Sequence, residues 1–381
     1  MHHITSRLIF YVEHTRAAAS LTLRSHSSSS SLDAHAGGMM IIRLLLTALL
    51  ASSANLVSAS VEEHRHSGIC DASGVVAVGH DAFAVADDEL NRLLIYTLHT
   101  SGPEESSLEL SDFLKLSKKN DSTKNKPRKE TKEADLEGAA RVGDVVYWIS
   151  SHGRNRKGKR VEARMQFFAT KIHSDGPKPV LVPFGSPYTR LLQDIIAAPQ
   201  HQRFELETAA ALPPKAQGGL NIEAMADMPN GHLLIGFRSP TISGKSLIIE
   251  LENPGGIIAG EAASFGRPRL IELDGGIRAL ASEGERYMVI GNEQDAEAGQ
   301  SSLFLWDGES TEIEKIENLT FAGFNPEAIA ALPDKKGGRI LLLSDDGMKD
   351  VDGSACKKIR DPRQRHFRSF LYRHPALLFF D

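Results

Sequence analysis

The phrase Asp135-Leu-Glu-Gly-Ala-Ala140 returns as Asn221-Ile-Glu-Ala-Met-Ala226 and again as Asn325-Pro-Glu-Ala-Ile-Ala330. Looser copies begin at Asp71 (Asp-Ala-Ser-Gly-Val-Val-Ala) and at Asp274 (Asp-Gly-Gly-Ile-Arg-Ala-Leu-Ala). A phrase repeated in fixed order marks one supersecondary unit copied along the chain. After a turn, each copy is followed by a second apolar run that ends in polar residues, such as Val145-Val-Tyr-Trp-Ile-Ser-Ser-His152 and Arg339-Ile-Leu-Leu-Leu-Ser-Asp345-Asp346. Third runs follow in several units, at 92–98, 164–172, 246–251 and 302–306. They are short, rich in aliphatic and β-branched residues, and parted by Gly, Asp and Asn turns, so they read as strands.

Three- or four-stranded units repeated in this way predict an all-β fold, a β-propeller. The phrase starts at 71, 135, 221, 274 and 325, in steps of 64, 86, 53 and 51 residues. The last two steps fit a blade of about 40–50 residues plus loops. The first holds a polar, mostly basic stretch, which reads as a flexible insertion at 117–134. The second leaves room for a divergent blade around 180–212, with a helix over 188–198. Five visible units and one hidden unit give six blades as the expectation, within a range of five to seven.

Residues ahead of the repeats follow another pattern. Met39-Met-Ile-Ile-Arg43 leads into Leu44-Leu-Leu-Thr-Ala-Leu-Leu-Ala51 and then Val57-Ser-Ala59. A short basic region, an apolar run too short to span a bilayer and a small-x-small ending are the parts of a signal peptide over 39–59. An uncleaved amphipathic anchor is the alternative. Residues 1–38, rich in Ser and His, read as an upstream extension, and 60–381 as a single propeller domain. The formal charge of −5 offers no electrostatic footprint for nucleic acid, and no later apolar run reaches membrane-spanning length. The closely spaced His64 and His66 read as a solvated tail, with a two-histidine metal clip as the other possibility.

In a propeller, the start of the innermost strand and the end of the second strand lie on one face around the central channel. That rim is expected to gather Asp71, Glu137, Glu223, Asp274 and Glu327 from strand starts. Strand-two ends add Asp87, Asp88, His152, Arg154, Arg238, Asn292, Glu293, Asp345 and Asp346. Crowded carboxylates repel, and a hard divalent cation such as Ca2+ would relieve Glu137, Glu223, Glu327 and Asp71. Alternatively, each glutamate ties one blade to the next. His152 is a candidate general base, and Arg154 with Arg238 could grip an anion. No glycine-rich phosphate loop is present, and no organic cofactor is expected. The same ring closure sets Cys70, before the first inner strand, near Cys356 in the last unit. A Cys70–Cys356 disulfide is the expectation, against two free thiols.

Several of these phrases, in this order, resemble the bacterial domain of unknown function 3616 family. They are Cys70-Asp-Ala-Ser-Gly74, Val85-Ala-Asp-Asp-Glu89, Asp135-Leu-Glu-Gly-Ala-Ala140, Ile149-Ser-Ser-His-Gly-Arg-Asn155, Asn221-Ile-Glu-Ala224 and Leu343-Ser-Asp-Asp-Gly347. The resemblance spans about 70–367 and implies a propeller-like exported protein with no settled activity. More distantly, Glu137-Gly138 is similar to a phrase of the phytase-like esterase and gluconolactonase propellers. The latter use such a glutamate on a divalent metal; here Ala139 replaces their proline. The functional expectation is hydrolysis of a small anionic ester, phosphoester or lactone by a monomer in the bacterial periplasm or outside the cell. The rival is a non-catalytic scaffold whose rim binds a protein, peptide or glycan.

Overall fold

Five four-stranded antiparallel sheets, arranged as the blades of a propeller, account for nearly all the regular structure of the computed structural model. It describes residues 60–87, 89–116, 132–174, 176, 178–292, 301–317, 319, 321, 323–332 and 339–373. The first strand, β1 (Ser60–Ser67), belongs to the last blade. Blade 1 is β2 (Ala72–Ala77), β3 (Ala82–Asp87), β4 (Arg92–Thr97) and β5 (Ser106–Glu109). Blade 2 is β6 (Leu136–Val142), β7 (Val145–Ser150), β8 (Phe167–His173) and β9 (Val180–Tyr188). Blade 3 follows as β10 (Asn221–Asp227), β11 (Leu233–Ile242), β12 (Lys245–Leu251) and β13 (Arg269–Ile271). Blade 4 is β14 (Ile277–Glu283), β15 (Arg286–Gly291), β16 (Ser302–Trp306) and β17 (Glu314–Lys315). Blade 5 runs β18 (Pro326–Ala331), β19 (Arg339–Ser344), a small hairpin of β20 (Asp350–Val351) and β21 (Ser354–Ala355), and β22 (His366–Arg373). Its sheet order is β18-β19-β22-β1, so the two ends of the propeller complete one blade.

The blade count corrects the expectation of six. The 86-residue step contains no extra blade. Val180–Tyr188 is the outer strand of blade 2, paired with β8. Beyond it come a helix at Leu191–Ala197, a 3-10 turn at Pro199–Phe204 and a short helix at Leu206–Ala210. These bury Leu191, Ile195, Phe204 and Leu206 against Phe167, Ile222 and Phe237 of blades 2 and 3. They act as an apolar wedge between blades. The helix foreseen at 188–198 is therefore present, slightly shorter.

Sheets sandwiched between sheets are buried on both faces, which explains the unbroken apolar runs. All six residues of β3 are buried, as are five of six in β7 and in β19. The buried residues fall into five clusters, one in each gap of the ring. Phe83, Tyr96, Leu343 and Phe367, for example, fill the gap between blades 5 and 1. Closing that gap also covers the apolar face of the terminal blades.

The disulfide forms where the ring closes: Cys70 and Cys356 are bonded, with Cα atoms 5.9 Å apart. Asp71 makes a single antiparallel bridge to Asp345 beside it. The strand β1 overturns the reading of its histidines as a solvated tail. His66 is fully buried among Phe83, Tyr96 and Phe367, at ring separations of 5.0–5.2 Å, and its Nε2 lies 2.8 Å from Ser369 Oγ. Burial, helped by the nearby His64, pushes its pKa down to about 3.

Most of the basic insertion at 117–134 lies outside the described residues, but Ala134 at its end is buried and donates its backbone N–H to Asn91 Oδ1. Residues 1–59, with the signal-peptide reading, also lie outside them, as do Asp88 and Glu293. Among the described residues no helix is long and apolar enough to cross a membrane.

Candidate functional site

Each inner strand loses register with its neighbour at an equivalent place, and β10 loses it once more between Asn221 and Ile222. The breaks fall between Ala72 and Val75, Leu136 and Gly138, Ile222 and Ala224, Ile277 and Ala279, and Pro326 and Ala328. The residues left without a ladder partner are Ser73 (with Gly74), Glu137, Glu223, Arg278 and Glu327. A bulge of this kind re-aims its side chain out of the pleat. Here five bulges place five polar residues around the propeller axis.

The residue after each of these polar positions is small: Gly74, Gly138, Ala224, Ala279 and Ala328. Inner strands of adjacent blades approach too closely there for anything larger. A Cβ on Gly74 would stand 3.0 Å from the Gly138 carbonyl carbon. One on Gly138 would stand 3.0 Å from Ile149 Cγ2 and 3.1 Å from the Ala224 carbonyl carbon. The repeated pair of a polar residue and a small one is thus a bulge followed by a backbone contact between blades.

The ring carries opposite charges. Glu223 is buried, and its Oε1 accepts from Arg238 at 2.7 Å and from Asn221 Nδ2 at 2.6 Å. Its Oε2 is also buried and has no hydrogen-bond partner. Arg278, itself buried, pairs with Glu327 of the next blade. Glu137 of blade 2 acts electrostatically on both Arg238 and Arg278. Blades 2 and 4 are not neighbours, so Glu137 and Arg278 sense each other across the axis. Three carboxylates and two guanidiniums therefore share the mouth. Arg278 was not foreseen. It stands where Glu137, Glu223 and Glu327 stand in their strands, and aligning the fourth phrase on its small residue, Ala279, would have found it. Asp274, chosen there instead, lies in the turn before β14.

The metal expectation does not fit this arrangement as it stands. Among the described residues the axial glutamates do not form a group of three whose ligand atoms lie within 4.8 Å of one another; Glu62, His64 and His99 do. Glu223 and Glu327 are instead engaged by arginines, which lifts the repulsion a cation would have relieved. Asp71 stands apart from the glutamates, at the seam between blades 5 and 1. Burial, a hydrogen bond to Asp345 and the Asp345 charge push its pKa up to about 8.

The remaining rim residues serve the framework. His152 is buried, with a left-handed φ of 54° and its Nδ1 2.7 Å from the Ser150 carbonyl oxygen. Burial pushes its pKa down to about 4, so the ring is neutral, and Nε2 has no hydrogen-bond partner. Neither adjacent hydroxyl pairs with it: Ser151 Oγ donates to Asp135, whose Oδ2 also receives Arg164 at 2.7 Å. A solvent-facing general base is therefore not what this position provides. Arg154 donates to the carbonyls of Ala210 at 2.7 Å and Gly158 at 3.0 Å, pinning the helical wedge rather than joining Arg238. Asp87 caps the turn at Glu89 and Leu90, Asn292 accepts from Ser301 Oγ at 3.0 Å, and Asp346 holds Arg368 through both oxygens at 2.7 and 2.8 Å.

Toward the other end of the inner strands the channel opens into a cavity of about 500 Å³. Val75, Ala139, Met225, Leu280 and Ile329 line it, and Asp227 stands among its polar residues. Arg141, Ser282 and Glu283 line it as well, so this end of the channel also carries polar and charged groups.

No curated protein matches the chain in sequence. Among solved structures, a putative oxidoreductase (glucose dehydrogenase) of Thermus thermophilus is 13% identical, with a TM-score of 0.39 over 83% of this chain and 100% of that one. A luciferin-regenerating enzyme is 8% identical, also at 0.39, over 84% and 97%. YCF48 bound to D1 peptide is 11% identical at 0.29, over 75% and 67%. Scores this low carry no argument about what this chain binds or does. The sequence itself matches a family model over residues 71–181 and 188–340, blade by blade through the bulged ring: the chain belongs to the family described as protein of unknown function, DUF3616.

Proposed function

We propose that this protein is an exported ligand-binding propeller whose axial mouth takes a small ligand bearing an anionic group beside a hydroxyl or ammonium donor. The observation that carries the reading is Glu223 Oε2, buried and without a partner next to Arg238, whose side chain is 37% exposed. A buried carboxylate oxygen left unpaired costs free energy that a donor from a ligand would recover. Arg238 uses one nitrogen on Glu223 and keeps the rest of its fork for an anion. Because carboxylates outnumber guanidiniums at the mouth, a bare anion is disfavoured, and the ligand must supply the donor as well.

A thermal-shift screen of hydroxy acids, amino acids and sugar phosphates tests this. A ligand that stabilises the wild type should lose at least about tenfold in affinity in both Glu223→Gln and Arg238→Met, the value of one charge-assisted hydrogen bond. Binding that neither substitution weakens places the ligand elsewhere and refutes the reading.

The second reading, divalent-cation-dependent hydrolysis of a small anionic ester, phosphoester or lactone, draws support from the same unpaired oxygen. It requires Glu137, Glu223 and Glu327 to leave their present partners. Calcium or manganese raising the melting temperature of the wild type but not of Glu223→Gln would favour it. Identical melting with and without divalent ions would leave only the metal-free site.

A further inference from the structure

Away from the axis, the closing strand and the first blade bring metal-type donors together. Glu62 and His64 stand two residues apart on β1, and so on one face of it. His99 stands in the turn after β4. One donor atom from each lies within 4.8 Å of the other two. Glu62 Oε2 is 3.7 Å from His64 Nε2 and 3.6 Å from His99 Nδ1. Both separations exceed a hydrogen bond. They come close instead to the edge of a tetrahedron around one ion, since nitrogen and oxygen donors at about 2.0–2.1 Å from zinc stand about 3.4 Å apart.

Two further observations point the same way. His64 Nε2, the atom that faces Glu62, is enclosed and has no hydrogen-bond partner. On the far side of the other ring, His99 Nε2 faces Asp81 Oδ1 at 3.9 Å. A carboxylate behind an imidazole is the usual means of fixing the tautomer of a metal-bound histidine. Glu62 and His99 are 60% and 46% exposed, which leaves an ion free to enter.

We propose that Glu62, His64 and His99 form a zinc-class site, holding one borderline divalent transition ion with water in the fourth position. Two imidazole nitrogens exclude calcium and magnesium, which take oxygen donors. The site joins β1 of blade 5 to the turn after β4 in blade 1, so a bound ion staples the closing strand to its neighbour beside the disulfide-bonded seam.

Zinc chloride titrated into the full chain, read by calorimetry and thermal shift, tests the site. Saturable binding with a melting-temperature rise of about 5 °C at a hundredfold excess over Kd is expected. Because the His99 side chain is half exposed, His99→Ala should fold with an unchanged metal-free melting temperature and lose most of the shift. His64→Ala should lose it as well, and cobalt(II) should show tetrahedral visible absorption in the wild type alone. A wild type that shows no zinc-dependent shift overturns the proposal. So does a shift that survives at more than half its size in His99→Ala, which would place the ion on other histidines, such as those upstream of residue 60.

Discussion

Replacing Arg278 with Met tests whether the axial ring is held by its own charges. Arg278 is 9% exposed and pairs with Glu327, which is 13% exposed, so the substitution strands a nearly buried carboxylate. Removing one partner of a buried pair costs about 3–5 kcal/mol, chiefly the penalty of the charge left behind. Glu327 keeps a little solvent contact, so about 2–4 kcal/mol is the expectation. In a protein of this size that lowers the melting temperature by roughly 4–8 °C. Methionine keeps much of the stem's packing, so the loss reports charge more than volume.

Two further readouts separate charge from shape. In the double variant with Glu327→Gln the stranded charge is gone, and about 1–3 kcal/mol should return as coupling between the sites. The pH dependence has a definite sign. Without Arg278, the enclosed Glu327 carboxylate costs the fold only while it is charged, so the cost is smallest at low pH and grows as pH rises. The single variant should therefore fall further behind the wild type at pH 8 than at pH 5. Urea denaturation at the two pH values measures all of this. A loss under about 1 kcal/mol, or one that is independent of pH and purely additive with Glu327→Gln, would falsify the charge-ring account.

Other expectations follow from the geometry. Gly138→Val should destabilise by about 2–4 kcal/mol in equilibrium denaturation, because the new side chain meets the Ala224 and Met225 backbone, whereas Gly143→Val, in a turn with open space around it, should lack that clash and cost only its left-handed φ. Reduction, or Cys70→Ser with Cys356→Ser, opens a loop of 286 residues' separation and should cost about 5 kcal/mol in the chain-entropy model, seen as a melting drop of roughly 10 °C; a drop below about 2 °C would contradict it. Asp71 has its pKa raised to about 8, so its contribution is complete below about pH 4 and declines as pH rises to about 8; Asp71→Asn should lose less stability than the wild type between pH 5 and 9. His66 and His152 act oppositely, since their depressed pKa values make the fold lose stability below about pH 6.5, and His152→Gln should flatten that acid limb in thermal melts.

How much of this was legible beforehand depended on which signals were local. The phrase Asp135–Ala140 and its copies did mark inner strands, because a bulged polar residue followed by a small one is a requirement each blade meets by itself. The disulfide was legible from ring closure alone. Blade number was not, since 180–212 has the apolar content of a blade but spends it on β9 and a helical wedge. Strand β1 was missed because its partner, β22, lies some 300 residues away and Glu62-Glu-His-Arg-His66 is polar in composition. The repeat identified three axial glutamates, yet their meaning turned on Arg278, whose opposite charge hid its equivalence. His152 looked catalytic by residue type. Only its surroundings show the ring shut away with the Ser150 carbonyl.

The pairing of β1 with β22 also sets a timetable. Residues 60–67 cannot reach their places until residues 366–373 exist beside β19, so the fifth blade cannot be completed on a partly synthesised chain. Pairings this distant in sequence pay the full entropy of loop closure before they return any contact energy. Blades 1 to 4 use only neighbouring segments and can assemble in order as the chain emerges. The molecule should therefore dwell as an open arc with two unpaired flanks, and a holdase or a fast oxidant acting in that interval would govern its yield.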